Sequence, residues 1–263
     1  MIAVGIQKKI TQKDSIKVSL IDVVSRVEEL TDSRVRQVEE RYSIKLIIES
    51  LRNTLFWRNI KLILNNKMSF AEFEVPKTII DAEPQIKKEF VRGFADVAGS
   101  ARFSNRDEAG KCRIYLDVLN QNWILPVQMC YLLQDGLGVP VRNITWGHPN
   151  IRDPALKDYN KNKRDAWARE HQIRVYAEDF LKIGFYIRHK QEILEELAQY
   201  NKEKFSESNF CSPPKTRIRE KQNHPEEESD KLPQRIRGKH YDAYWQICCD
   251  LGCVRCEKTE PPA

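Results

Sequence analysis

The densest gathering of chemically capable side chains lies late in the sequence. Cys248, Cys249, Cys253 and Cys256 fall within nine residues, and His240 precedes them. Cysteine thiolates and imidazole nitrogens are the usual ligands of tetrahedral zinc. Cys253-x-x-Cys256 has the spacing of one half of a zinc knuckle, and Cys249 or Cys248 with His240 completes a set. The candidate ligands of a structural Zn²⁺ are therefore His240, Cys249, Cys253 and Cys256. The second matched pair of an ordinary zinc module is absent. The same stretch also reads as a short amphipathic helix, residues 241–251, docking Tyr244, Trp245, Cys248 and Leu251 on the rest of the chain. Free cysteine is a common buried residue, and the sequence leaves both readings open.

A second group of side chains suits phosphate. Lys157, Lys161, Lys163, Arg164 and Arg169 cluster in a polar stretch between two predicted strands. A loop of this kind at the rim of a nucleic-acid-facing sheet neutralises phosphates; the alternative is a solvated surface loop. Arg102, Arg113 and Arg174 fall on predicted strands and extend the same candidate surface. Carboxylates are fewer. Asp96 closes an amphipathic run, and Asp117 sits on a predicted strand. His148 has no partner at fixed spacing and reads as a turn residue. No phosphate-binding glycine loop, dinucleotide fingerprint or nucleophile elbow is present.

These groups need elements to position them. Residues 90–100 read FVRGFADVAGS, an amphipathic helix stopped by Gly99. Residues 101–106 start a strand, and Asp107-Glu108-Ala109-Gly110 forms a turn. From Cys112 to Leu119, Arg113, Tyr115 and Asp117 alternate with Ile114, Leu116 and Val118, the period of a half-buried strand. Residues 123–137 place Leu125, Met129, Leu132, Leu133 and Leu137 at helical spacing. Pro126 is tolerated in the first turn, and Gly136 and Gly138 end the helix. Extended patterns resume over 139–146 and 173–177. A short turn at 178–185 then leads to a helix over 189–200.

The stretch 90–100 resembles the motif of the LAGLIDADG homing endonucleases and their DNA-binding relatives. Gly93, Asp96, Gly99 and Ser100 match it, and Val91 and Phe94 keep its apolar positions. The resemblance covers roughly residues 84–201. It implies an α+β domain running helix, two strands, helix, two strands, helix (αββαββα). In that family two motif helices pack side by side on a two-fold axis. The role of small residues on the packed face falls to Gly93, Val97 and Gly99. The strands form a saddle for the major groove of double-stranded DNA, where base pairs present distinct patterns. One motif copy implies a homodimer. Where the nucleases carry a metal-binding acid, this chain has Ala98, and a methyl group cannot ligate Mg²⁺. The ending Ala98-Gly99-Ser100 is similar to that of WhiA-type regulators, which bind DNA without cutting it. Asp96 lies about 200° around the helix from Ala98. It is the one candidate catalytic carboxylate, with a backbone hydrogen bond near the helix end as its alternative role.

The remainder is read from pattern. Residues 19–30 and 33–53 show helical periodicity. Residues 56–64 and 69–75 look like a hairpin around Asn65-Asn66-Lys67. Residues 1–83 are thus expected to be helices plus a hairpin, either winged-helix-like or a diverged half-domain. Residues 202–238 are a polar linker too poor in apolar groups to fold alone, ahead of the Cys-rich segment 239–263. The 263 residues carry a formal charge of +6, a modest excess that suits a nucleic-acid partner. No apolar run is long enough to span a membrane. Seven cysteines without a secretory signal lead one to expect a reducing cytoplasm. The reading is a DNA-binding protein that does not cleave. Its alternatives are an active Mg²⁺-dependent homing- or restriction-type endonuclease, and a protein-interaction module on the same fold.

Overall fold

A computed structural model describes residues 2–7, 12–31, 33–41, 43–49, 54–69, 71–107, 109–149 and 169–205. The cations Lys157, Lys161, Lys163 and Arg164 and the candidate zinc ligands His240, Cys249, Cys253 and Cys256 lie outside these residues. The architecture is α+β, built on two antiparallel sheets. Among the described residues no helix is long and apolar enough to cross a membrane.

The first sheet comes from β1 (Ile2–Gln7), β2 (Arg34–Glu39) and β3 (Ser43–Glu49), in the order β1-β3-β2. Helices α1 (Lys13–Ser19) and α2 (Ile21–Thr31) connect β1 to β2. Ile6, Ile16, Leu20, Val35, Ile44 and Leu46 close its core. The helix expected over residues 33–53 is instead this β2–β3 hairpin. Val35 and Val38 are three apart and imitate a helical face. The deciding signal is the alternation of Ile44, Leu46 and Ile48, with β-branched residues that favour strands. The hairpin closes with Glu40 N–H donating to Ser43 O at 2.8 Å.

The hairpin expected over residues 56–75 is likewise corrected. Leu55–Ile63 is a helix, α3, and residues 71–76 form no strand. Thr54 caps α3, its hydroxyl accepting from Trp57 N–H at 3.5 Å. Asn65 and Asn66 have φ of 52° and 61°. This left-handed region suits asparagine and is a common way to end a helix. The Asn-Asn signal therefore marked a helix terminus.

After the short helix α4 (Lys77–Ile80), residues 84–204 run α5 (Pro84–Ala98), β4 (Gly99–Arg106), β5 (Cys112–Leu119), α6 (Ile124–Tyr131), β6 (Asn143–Pro149), β7 (Arg169–Tyr176), a single turn α7 (Ala177–Phe180) and α8 (Arg188–Lys204). A π-helical turn, Leu132–Gly136, continues α6. The sheet order is β4-β5-β7-β6. One face carries Ile114, Leu116, Val118, Ile173 and Val175 into a core shared with Val91, Ala95, Met129, Leu133, Leu194 and Leu197 of the helices. The strand expected over 139–146 begins later, at Asn143, but Val139 and Val141 still reach that core.

The two sheets are tied at the start of α8. Ile187 is buried in the core of the first sheet. Arg188 N–H donates to Ser19 Oγ at 3.0 Å and His189 N–H to Ser15 Oγ at 3.2 Å. The opening N–H groups of a helix have no partner within it. Here α1 supplies the acceptors.

Candidate nucleic-acid interface

Helix α5 begins with Pro84 at its first position, where no N–H is needed. It buries Val91, Ala95 and Asp96. Its outer side carries Ile86, Gly93 and Val97, spaced seven and four apart, as in a helix-pairing seam, while Phe90 packs against the core. Ile86 is 52% exposed, and a Cβ built on Gly93 would meet nothing within 4 Å. Gly99 has a different task from the helix packing expected of it. A Cβ there would sit 2.3 Å from Ala95 O and 2.9 Å from the Phe185 ring. The glycine lets β4 leave the helix tightly against its own last turn.

Asp96 does not present its carboxylate to solvent. It is 5% exposed. Oδ2 accepts from Tyr186 N–H at 3.0 Å and Oδ1 from Ile187 N–H at 3.1 Å. Burial pushes its pKa up to about 6, against the lowering effect of the Ile187 N–H and of Lys190 and Arg92. Asp96 thus makes the backbone hydrogen bonds expected as its alternative role, at the approach to α8. Lys190, which the sequence reading missed, answers from the other side. Its Nζ donates to Asp96 O at 2.7 Å and Gly99 O at 2.9 Å, neutralising the carbonyl end of α5.

The second face of the β4-β5-β7-β6 sheet is polar. Its side chains follow from strand alternation and the observed register. Tyr115 pairs with Ser100 of β4 and Arg174 of β7, and Arg174 pairs with Asn143 of β6. These four form one row across the whole sheet. The next row is Asp117, Gln172 and Thr145, and Arg113 lies opposite Tyr176.

Cations and aromatic rings interleave on this face. The Tyr115 ring lies between Arg174, 5.0 Å from its centroid, and Arg113, at 5.7 Å. The Tyr176 ring lies between Lys111, at 4.1 Å, and Arg142, at 4.5 Å. Such contacts hold long basic side chains in defined positions. Tyr176 O–H donates to Asp107 Oδ2 at 2.8 Å. Burial and that carboxylate raise its pKa to about 12, which keeps the phenol neutral. Lys111 also pairs with Glu178. The acidic groups Asp117 and Glu170 are bridged by Gln172, whose Nε2 donates to Asp117 Oδ1 at 3.1 Å and Glu170 Oε1 at 3.2 Å.

Of the expected cations, Arg113 and Arg174 are brought together around Tyr115. Arg102 lies exposed on β4. Arg169 stands apart, five residues before Arg174, with Nη1 donating to Gly147 O at 3.1 Å. Lys111 and Arg142 were missed. Lys111 shares the alternation of Arg113 and Tyr115 and was readable in principle, whereas Arg142 precedes its strand and was not.

His148 lies on β6 opposite Glu170, not in a turn. The neighbouring His171 is fully buried, accepts from Gly147 N–H at 3.1 Å through Nδ1, and touches the rings of Trp123 and Trp146. Burial lowers its pKa to about 4, so it is neutral. Among the described residues, no three His, Cys, Asp or Glu side chains gather as a metal site. No family model matches the chain, and no curated protein matches it.

Proposed function

We propose that this chain is a LAGLIDADG-like protein that binds double-stranded DNA without cutting it. It acts as a homodimer through α5 and meets DNA with the polar face of the β4-β5-β7-β6 sheet. The observation that carries this reading is the row Ser100–Tyr115–Arg174–Asn143, with Arg113 beside it, on the sheet that directly follows the motif helix. A face presenting arginine, tyrosine and asparagine offers donors and acceptors to base edges and charge to phosphates. An interaction module would present apolar side chains at this position. The order of elements from α5 to α8 and the open seam at Gly93 are consistent with the same reading.

The nuclease alternative loses its candidate ligand. Ala98 offers no oxygen, and both Asp96 oxygens accept backbone N–H groups. The test is incubation of the full chain with random-sequence duplex at low salt, with Mg²⁺ or Mn²⁺, scored for retention and for strand breaks. Retention without cleavage is expected. Absence of retention refutes the DNA reading, and robust cleavage refutes the non-cleaving one.

A further inference from the structure

Arg174 occupies a singular place on the polar face. It lies on β7, which is flanked on both sides, by β5 and β6. When a sheet lies in a groove, its rim meets the phosphate backbone and its interior strands meet base edges. A central arginine is therefore set for bases, whereas Arg102 on the edge strand β4 and Arg142 just before the edge strand β6 are set for phosphates.

The side chain is also pre-positioned by two layers of contacts. The Tyr115 ring supports the guanidinium at 5.0 Å. Arg174 Nη2 donates to Gln172 Oε1 at 3.3 Å. Gln172 is 4% exposed, and its amide orientation is fixed because Nε2 donates to Asp117 and Glu170. Only the carbonyl oxygen remains to face Arg174. The neighbouring Arg113 is held differently, with Nη2 donating to Arg106 O at 2.7 Å. A guanidinium fixed in this way loses less freedom on binding, and its fork matches the O6 and N7 acceptors of guanine.

We infer that Arg174 is the residue with which this sheet reads a guanine, so that each half of the bound site carries one G·C pair set by it. This rests on the DNA-binding function proposed above.

The experiment is selection of bound sequences from a random duplex library by the full chain, its Arg174→Lys variant and its Gln172→Met variant. Lysine keeps the charge and loses the fork, and is tolerated on a half-buried surface. The wild type is expected to enrich guanine at one position per half-site, with discrimination of about 5- to 150-fold. Arg174→Lys should lose the preference at that position alone. Gln172→Met should weaken it at the same position, because Arg174 is released. Melting temperatures close to wild type would exclude unfolding as the cause. Three outcomes overturn the inference and leave DNA binding intact. They are an unchanged guanine preference in Arg174→Lys, a uniform loss of affinity for all sequences with a shallower salt dependence (a phosphate contact), and wild-type retention with no preferred base. Failure of the wild type to retain any duplex overturns both the inference and the function it rests on.

Discussion

Asp96 and Lys190 cap each other's helices. The Asp96 carboxylate accepts the N–H groups of Tyr186 and Ile187 just ahead of α8, at 3.0 and 3.1 Å. The Lys190 ammonium, one turn into α8, donates to the Asp96 carbonyl at 2.7 Å at the end of α5. Ser15 and Ser19 of α1 complete the junction through His189 and Arg188 N–H. Helices α5, α8 and α1 therefore meet at one polar joint. Replacing Ser19 by alanine should cost about 0.5–2 kcal/mol, as for other capping serines. Chemical denaturation checks this, and an unchanged midpoint would remove the cap from the account.

The same joint makes stability depend on pH. The pKa of Asp96 is raised from 3.8 to about 6 by burial. A raised folded pKa means that the folded state holds the proton more tightly. The contribution is fully present below the ordinary carboxylate value and is lost as pH rises through about 6. Its full extent is on the order of 3 kcal/mol. His171 works oppositely: with its pKa lowered to about 4, its contribution is lost as pH falls below 6.5. The wild-type curve mixes the two. The difference between wild type and Asp96→Asn isolates the first, and it should move in favour of the wild type between pH 7 and pH 5. A difference that does not vary with pH would show that Asp96 titrates normally.

Gly99→Ala should destabilise the fold by about 1–3 kcal/mol, the usual cost of overpacking. The added methyl would collide with backbone, Ala95 O at 2.3 Å, rather than with a movable side-chain tip. Thermal unfolding of the variant tests this; a melting temperature equal to wild type would mean that the helix–strand junction relaxes freely.

Local patterns were readable where alternation and burial agreed. The strand Cys112–Leu119 follows from three apolar residues facing inward between arginine, tyrosine and aspartate. Around β2 and β3 the valine spacing suited a helix, and only pairing between strands decided otherwise. In α3 the run from Phe56 to Leu64 suited a strand, and the capping Thr54 carried the contrary signal. The polar joint was out of reach of sequence reasoning. Ser19 and Arg188 are 169 residues apart, and nothing in either segment announces the other. The candidate interface was half legible. Alternation assigned Arg113 and Tyr115 to one face, but the register that sets Arg174 beside Tyr115 is a tertiary fact.

Gly93→Leu separates folding from self-association. No atom lies within 4 Å of a Cβ at this position, and leucine favours a helix over glycine by up to about 1 kcal/mol. The variant should fold at least as stably as wild type and sediment as a monomer, whereas wild type is expected to sediment as a dimer. A variant that remains a dimer would take the pairing seam away from α5.

The polar sheet face is proposed to bind DNA through phosphate charge. The most direct test of this proposal is the salt dependence of duplex affinity, for wild type and for the double variant Arg102→Gln/Arg142→Gln. Each neutralised phosphate contributes about 0.9 to the slope of log affinity against log salt. Wild type should show a steep negative slope, and the variant a slope shallower by about 2 per protomer. A wild-type affinity independent of salt, or a variant with the wild-type slope, would contradict the assignment of this face to DNA.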